Sequence, residues 1–561
     1  MAESVGGCGA SMKRSARWGY LLWLVPGLGV LFWFVFPILT VWRIGLQGTG
    51  GVQWVRFLTS SLLWHTLGQG GVQATLSTFC TLTIALPISI IWLLYDVPGR
   101  RWLQVLLTLP FVLPTVVVAA GFRAIWGAEG GAIRFLLEWI GFPTLEFPYG
   151  WVPVILAHVF YNVSVVFRVV TGYGSRIGAE VLESACCLGH SPFGVVRRVL
   201  FPMLRPAIVS AALVVFLFCF GSFGVVLLLG GSTLTTLDVE IYRQTVYFFH
   251  MRSAAQLSIV QFCCTLLVVI LHRRLSLDAS GIALFRSSAG SILGRPRSVR
   301  GRTLLTGTGF AYAAAFGIPL AAILVQAFRT SAGWGGDYFS ALLVNDTDAL
   351  FFVAPVDAVI HSLQIACLAA VFCFAFGFPA AQFLAAPPPS FRMTPLVHGG
   401  FLLPLGASPV ILGLGFILTF AVPPIDFRSS WLLIPVSHAL VAFPIFLQTV
   451  IPALRGVPDV LKEAATTLGS SSWHAWLRVQ LPLIRNSLTA ALILSFMISL
   501  GEFGATVFIA RPHVPTLPIA IYRYLSQPGE MNYGRAMAMA AILLGLTAFG
   551  FVVLERIGRR R

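Results

Sequence analysis

The chain has 561 residues, of which 57% are apolar and only 10% charged, with a mean hydropathy of +0.87. A soluble protein carries roughly a quarter charged residues, so a water-facing surface cannot be built from this composition and the surrounding medium is lipid. The net charge of +17 raises nucleic acid as a partner, but the charge lies in short blocks between apolar runs, which excludes that class.

Apolar runs of spanning length, roughly 20 residues, predict helices near 20–42, 70–95, 102–126, 151–172, 205–229 and 254–272. A second set follows near 304–328, 359–385, 396–420, 431–453, 486–509 and 535–555. The fold class is therefore an all-α polytopic membrane protein of about twelve transmembrane helices. The first run follows a basic N-terminus but is too long for a signal peptide, and reads as an uncleaved first helix. Pro110 and Pro114 predict a bend in the third helix, and Pro404 and Pro409 a bend in the ninth.

Basic blocks mark the inner face: Lys13, Arg14 and Arg17; Arg100 and Arg101; Arg197, Arg198 and Arg205; Arg273 and Arg274; Arg559 to Arg561. Acidic residues fall mainly in the alternate loops, among them Glu129, Glu138, Glu146, Asp238, Glu240, Asp337, Asp346 and Asp348. Both termini are then cytoplasmic. The segment 276–302, rich in Ser, Gly and Arg, reads as a cytoplasmic linker between a first half (1–275) and a second half (303–561). Its charge would hold it against an anionic inner leaflet. The nine cysteines make no CxxC pair and no metal-ligand spacing with histidine.

The halves are copies of one unit, offset by 280 residues. Trp151 matches Trp431, His158 matches His438, Glu183 matches Glu463, Gly189 matches Gly469 and Pro202 matches Pro482. Phe223-Gly224 recurs as Phe503-Gly504, and Ile241-Tyr242-Arg243 as Ile521-Tyr522-Arg523, without a gap. Six crossings per copy give both the same orientation, so the axis relating them runs along the membrane normal and a solute path is expected on it.

Between the fourth and fifth helices each copy carries an unusual loop, LESACCLGHSPFGVVRRVLFP over 182–202 and KEAATTLGSSSWHAWLRVQLP over 462–482. Leu182, Ala185, Cys186 and Gly189 fall at helical spacing, as do Leu461, Ala464, Ala465 and Leu468. Gly189 and Gly469 suit a left-handed helix stop, and a second short helix is expected to run to Pro202 or Pro482. Such a knob of small side chains is suited to docking a soluble motor; the other reading is an interfacial helix or one packed on its own bundle.

The spacing Glu-x-Ala, Gly six residues after the Glu and Pro thirteen after the Gly resembles the EAA loop of binding-protein-dependent (type I) ABC importer permeases. Glu463, Ala464, Ala465, Gly469 and Pro482 fit it; in the first copy Glu183, Ala185, Gly189 and Pro202 fit, while Ser184 replaces an Ala. The fused halves, with Ala157-His158-Val159-Phe160-Tyr161-Asn162 and Ser222-Phe223-Gly224, resemble the thiamine and ferric-iron branch. The resemblance implies a permease of the bacterial inner membrane, moving a small solute delivered by an extracytoplasmic binding protein. It implies that these loops dock into two copies of an ATPase subunit. The chain has no GxxxxGK[ST] phosphate loop; ATP and Mg would sit on that partner, with no cofactor and no catalytic residue on this chain. An ion-coupled secondary transporter is the alternative.

Glu502 is nearly alone as an ionisable residue within a predicted helix, and Ser222 is its repeat partner. It either meets a cationic solute on the path or pairs with an arginine such as Arg123 or Arg511. His158 and His438 either flank the path or take part in gating, or are buried and satisfied by a backbone carbonyl.

Overall fold

The computed structural model describes residues 27–47, 51–97, 99–126, 149–275, 299–330, 333–345, 353–385, 401, 403–422, 425–427 and 430–559. The expected linker lies outside them over 276–298, as do Glu129, Glu138, Glu146, Asp346, Asp348 and the basic N-terminus. Among the described residues the fold is all-helical apart from two short two-stranded ribbons and an isolated Arg511–Val514 bridge. Among the described residues, ten helices are long and apolar enough to cross a membrane, from Gly27–Leu46 to Glu530–Ile557. Trp102–Val112 with Thr115–Trp126, bent by 112°, makes an eleventh when the bent pair is counted as one broken span. Near the expected ninth span the described helix is Pro409–Phe420.

The bends fall where proline removes a backbone donor. Leu109–Val112 is a 3₁₀ turn containing Pro110, and the next helix starts at Thr115, after Pro114. A matching 3₁₀ turn, Leu403–Gly406, carries Pro404, and Pro409 opens the helix that follows. Tyr161 donates its hydroxyl hydrogen to Leu113 O at 2.9 Å, satisfying a carbonyl the break has freed.

Two expectations need correction. The fifth and eleventh helices were predicted to run to 229 and 509. Instead they stop at Phe220 and Gly501, and short helices Gly224–Leu229 and Thr506–Ile509 restart beyond them. Apolarity continues across both breaks, so hydropathy cannot register them; Glu502 leaves the helix with extended backbone. Asp238 and Glu240 were expected in an outer loop. They lie on a helix, Leu237–Val246, and both are buried. Gln244 Nε2 donates to Glu240 Oε1 at 2.7 Å, which offsets burial of the carboxylate.

The described chain forms two compact units: Met1–Arg43 with Ser362–Ile509, and Ile44–His361 with Ala510–Arg561. Each draws on both covalent halves. In the first unit, Trp33 of the first span packs on Phe420 at 5.2 Å between ring centroids, and a side chain on Gly415 would meet Pro37. In the second, Val299–Phe328 packs on the bent third span and on Glu530–Arg559. There Phe316 stacks on Phe160 at 5.3 Å.

Lipid is as apolar as leucine, so close van der Waals approach selects helix partners. Gly121 permits such an approach: a Cβ there would lie 2.9 Å from Pro319 O and 3.2 Å from Ile323 Cδ1. Gly121→Leu is expected to lower stability by about 1–3 kcal/mol through overpacking. Thermal unfolding of the purified protein should show the loss, whereas Gly307→Leu, at a glycine with open space around it, should change little.

Candidate functional site

The two EAA-like loops fold alike. Ala179–Cys187 and Asp459–Thr467 are nine-residue helices. Each ends in a glycine of positive φ, +84° at Gly189 and +82° at Gly469. His190 N donates to Ala185 O at 3.2 Å and Gly189 N to Cys186 O at 3.0 Å; Ser470 N to Ala465 O and Gly469 N to Thr466 O, both at 3.0 Å, repeat the pattern. That pair of bonds is a Schellman stop, which requires the left-handed conformation glycine adopts without steric cost. A Cβ on either glycine would touch nothing within 4 Å, so backbone conformation alone opposes a side chain there.

The loops present exposed apolar side chains. Leu188 is 81% and Leu468 88% exposed; Phe193, Trp473 and Val460 are also open. In the first copy Leu182 and Ala185 turn inward and are buried, anchoring the helix. In the second copy no residue of the helix is buried, and Ala464 and Glu463 are exposed while Ala465 is half-buried. Glu183 is exposed as well.

Here too the structure corrects the sequence reading. Glu463 does not open its helix, whose amino end would favour a negative charge. The helix starts at Asp459, after Pro458, so Glu463 is its fifth residue and Asp459 takes the first turn. Pro202 and Pro482 were expected to end the second short helix. Helix runs through them instead: Phe193–Phe220 and Trp473–Gly501 are continuous spans of 28 and 29 residues. Just before each proline lies a π turn, Val196–Leu200 and Trp476–Gln480. Phe201 N bonds Val196 O, and Leu481 N bonds Trp476 O, five residues back. The wider turn shifts the ladder where proline has no N–H to offer.

Glu502 and His438 come together within the first compact unit. Glu502 Oε1 accepts from Ala505 N at 2.9 Å and Oε2 from Thr506 N at 3.1 Å. Its carboxylate thereby satisfies the amino end of the short helix Thr506–Ile509. The Thr506 hydroxyl also donates to Oε2, and His438 Nε2 lies 3.3 Å from the same oxygen. His438 Nε2 is 2.7 Å from Thr506 Oγ1, and Nδ1 is 2.8 Å from Ser499 Oγ. A ring with its proton on Nε2 satisfies this set: Ser499 donates to Nδ1, Nε2 to Thr506, and Thr506 to Glu502. His438, rather than Arg123 or Arg511, is the partner of Glu502. Arg123 donates to Leu525 O at 2.9 Å.

His158 has different partners. Its Nδ1 contacts Gln73 Nε2 at 2.5 Å and Ser77 Oγ at 3.2 Å, both on the second span, in the second compact unit. Ser222, the repeat partner of Glu502, is buried at the break after the fifth span. The sequence reading did not single out Ser499 and Thr506, although both lie within about one helical turn of Glu502. Gln73 and Ser77 could not be found that way, because only folding brings the second and fourth spans together.

Spanning helices, an internal repeat and twin glycine-stopped loops define a polytopic membrane protein of two homologous halves. The family described as "Binding-protein-dependent transport system inner membrane component" matches residues 72–280. The thiamine transport system permease protein ThiP of Escherichia coli K12 is 27% identical over 555 residues, 96% of this chain and 97% of that protein. The Haemophilus influenzae ThiP is 24% identical over 90% of this chain and 91% of its own length. A probable ABC transporter permease protein, y4fN, of Sinorhizobium fredii is 25% identical over 98% and 99%. Over nearly its whole length the chain is thus similar to permeases of binding-protein-dependent ABC importers.

Glu502→Gln replaces one of two acceptor oxygens by a donor facing backbone N–H. The change should cost about 1–3 kcal/mol, the penalty for leaving a buried donor unpaired. It should appear as a lowered unfolding temperature even without ligand or partner.

Proposed function

We propose that this chain forms the membrane path of a thiamine importer driven by a separate ATPase. The observation that carries the motor assignment is the pair of glycine-stopped loops, each with an open apolar face. Two similar knobs suit two copies of one ATPase subunit, with ATP and Mg held there. Glu183, Ala185, Gly189 and Pro202, and Glu463, Ala464, Ala465, Gly469 and Pro482, are the proposed coupling residues. The positions of the basic blocks support cytoplasmic termini and cytoplasmic loops. Thiamine is favoured over ferric iron because full-length relatives are named for thiamine transport. The relatives give no support to an ion-coupled secondary transporter.

Continuity between loop and span supports a mechanical role. The second helix of each loop runs unbroken into the fifth or eleventh span, so the loop is one end of a rod. At 1.5 Å per residue such a rod is about 40 Å long. Motion imposed on the loop by nucleotide turnover would reach the far end, where the eleventh span breaks at Glu502. Glu502 and His438 are then positioning groups that hold the outer short helix at the path. Ser222 holds the corresponding place in the first half, and His158 braces the second and fourth spans.

Two measurements test this. The extracytoplasmic binding protein of the system should bind thiamine, and the permease–ATPase complex should hydrolyse ATP faster when the loaded binding protein is added. Binding of ferric iron in place of thiamine would overturn the substrate. Gly469→Val forces a β-branched residue into the left-handed region at a cost of about 1–2 kcal/mol, a factor of roughly 5–30 in a conformational equilibrium. Stimulated hydrolysis should fall by that order while the membrane domain stays folded. Glu463→Lys should act likewise, and Gly189→Val and Glu183→Lys in the same direction. Full stoichiometry and full stimulation in all four would remove the loops from the coupling mechanism.

A further inference from the structure

At the end of the sixth span away from His272, Arg273 and Arg274, three consecutive aromatic side chains stand open. Tyr247 is 61%, Phe248 55% and Phe249 73% exposed. The basic end faces the cytoplasm by the positive-inside rule, so this loop is extracytoplasmic. Among the described residues, Phe249 is the one non-glycine of positive φ, at +54°. The repeat shows that the strain is avoidable. The same position in the second copy, 280 residues on, is Gly529 at φ +108°, in the polar stretch Ser526-Gln527-Pro528-Gly529-Glu530. The backbone needs a left-handed turn in both copies, and only the first places a large aromatic there. Residues held in such a region persist where the surroundings over-determine them, and they cluster at binding sites. Here the fixing bonds are visible: Tyr247 N and Phe248 N both donate to Arg243 O, and His250 N to Gln244 O at 2.7 Å.

The bland account of exposed aromatics at a membrane edge is an anchor in the headgroup layer. The position of Tyr247 argues against it. Its ring meets Tyr242 edge-on, 5.8 Å between centroids, and its hydroxyl lies within electrostatic reach of those of Tyr242 and Tyr522. Tyr242 and Tyr522 are repeat equivalents, and both belong to the second compact unit. Equivalent residues of two copies touch one another where the local two-fold axis of those copies passes. The aromatic loop thus adjoins a contact between the two copies rather than standing as an isolated anchor. A soluble protein that delivers solute to a path on the axis must cover this surface.

We infer that Tyr247, Phe248 and Phe249 form part of the surface that receives the extracytoplasmic binding protein, with Phe249 as its preset apolar contact. The inference rests on the importer reading above. Its test uses the permease–ATPase complex in nanodiscs and the binding protein of the same system loaded with thiamine. Phe249→Gly removes the side chain and the strain together, so its unfolding temperature should equal or exceed that of the wild type. Basal ATP hydrolysis should be unchanged, while affinity for the binding protein falls about tenfold, as for loss of one buried aromatic anchor. Phe248→Ser leaves the turn untouched and should weaken binding in the same direction, which carries the test if the glycine variant folds poorly. Unchanged affinity in both variants would overturn the inference, and so would a lowered unfolding temperature with full affinity, the signature of a lipid anchor. A wild-type complex that does not bind the loaded protein would instead overturn the importer reading itself, and this inference with it.

Discussion

Hydrocarbon offers the backbone no hydrogen-bond partner, and each place where a spanning helix departs from regularity must be repaired from within the protein. The described structure is organised around those repairs. Tyr161 reaches Leu113 O at the bend of the third span, and Arg455 Nη2 reaches Leu384 O at the end of the eighth, at 2.9 Å. Glu502 supplies both carboxylate oxygens to the amino end of Thr506–Ile509. At Pro202 and Pro482 the repair is a change of helix type, and it keeps loop and span in one piece.

The repeat supplies a frame, and differences between the copies supply the chemistry. Backbone features recur faithfully: a left-handed glycine, a π turn, and a break after the fifth and eleventh spans. Side-chain networks do not. His438 works with Ser499, Thr506 and Glu502, whereas His158 works with Gln73 and Ser77. The first loop helix is pinned by buried Leu182 and Ala185, while the second stands wholly open. Under the proposed coupling, the two loops would carry unequal shares of the force.

Interleaving of the covalent halves follows from the same medium. Without a hydrophobic driving force between helices, contact is decided by where small residues allow close approach. Gly121 against Pro319 and Gly415 against Pro37 are such places. The first span therefore shares a compact unit with helices of the second half, and the seventh and twelfth spans share one with helices of the first. Sequence continuity has no vote in that choice.

Of the about twelve spans expected, ten, or eleven with the bent pair, lie among the described residues. The sequence by itself determined the medium, the approximate limits of most long spans, the repeat at 280 residues and the two loops. Each is written in local composition or in register, which need no knowledge of contacts. Gly189 and Gly469 were legible for the same reason, since a left-handed stop is a local requirement. Tertiary structure alone decided that Glu502 meets His438 rather than an arginine, that Asp238 and Glu240 are buried on a helix, and that the fifth and eleventh spans break early. It also decided that Pro202 and Pro482 lie inside continuous helices. Hydropathy counts apolar residues and is blind to hydrogen-bond geometry, so a π turn and a capped break read as uninterrupted helix or as its end. Partner choice between polar side chains distant in sequence is likewise fixed only when packing sets their separation.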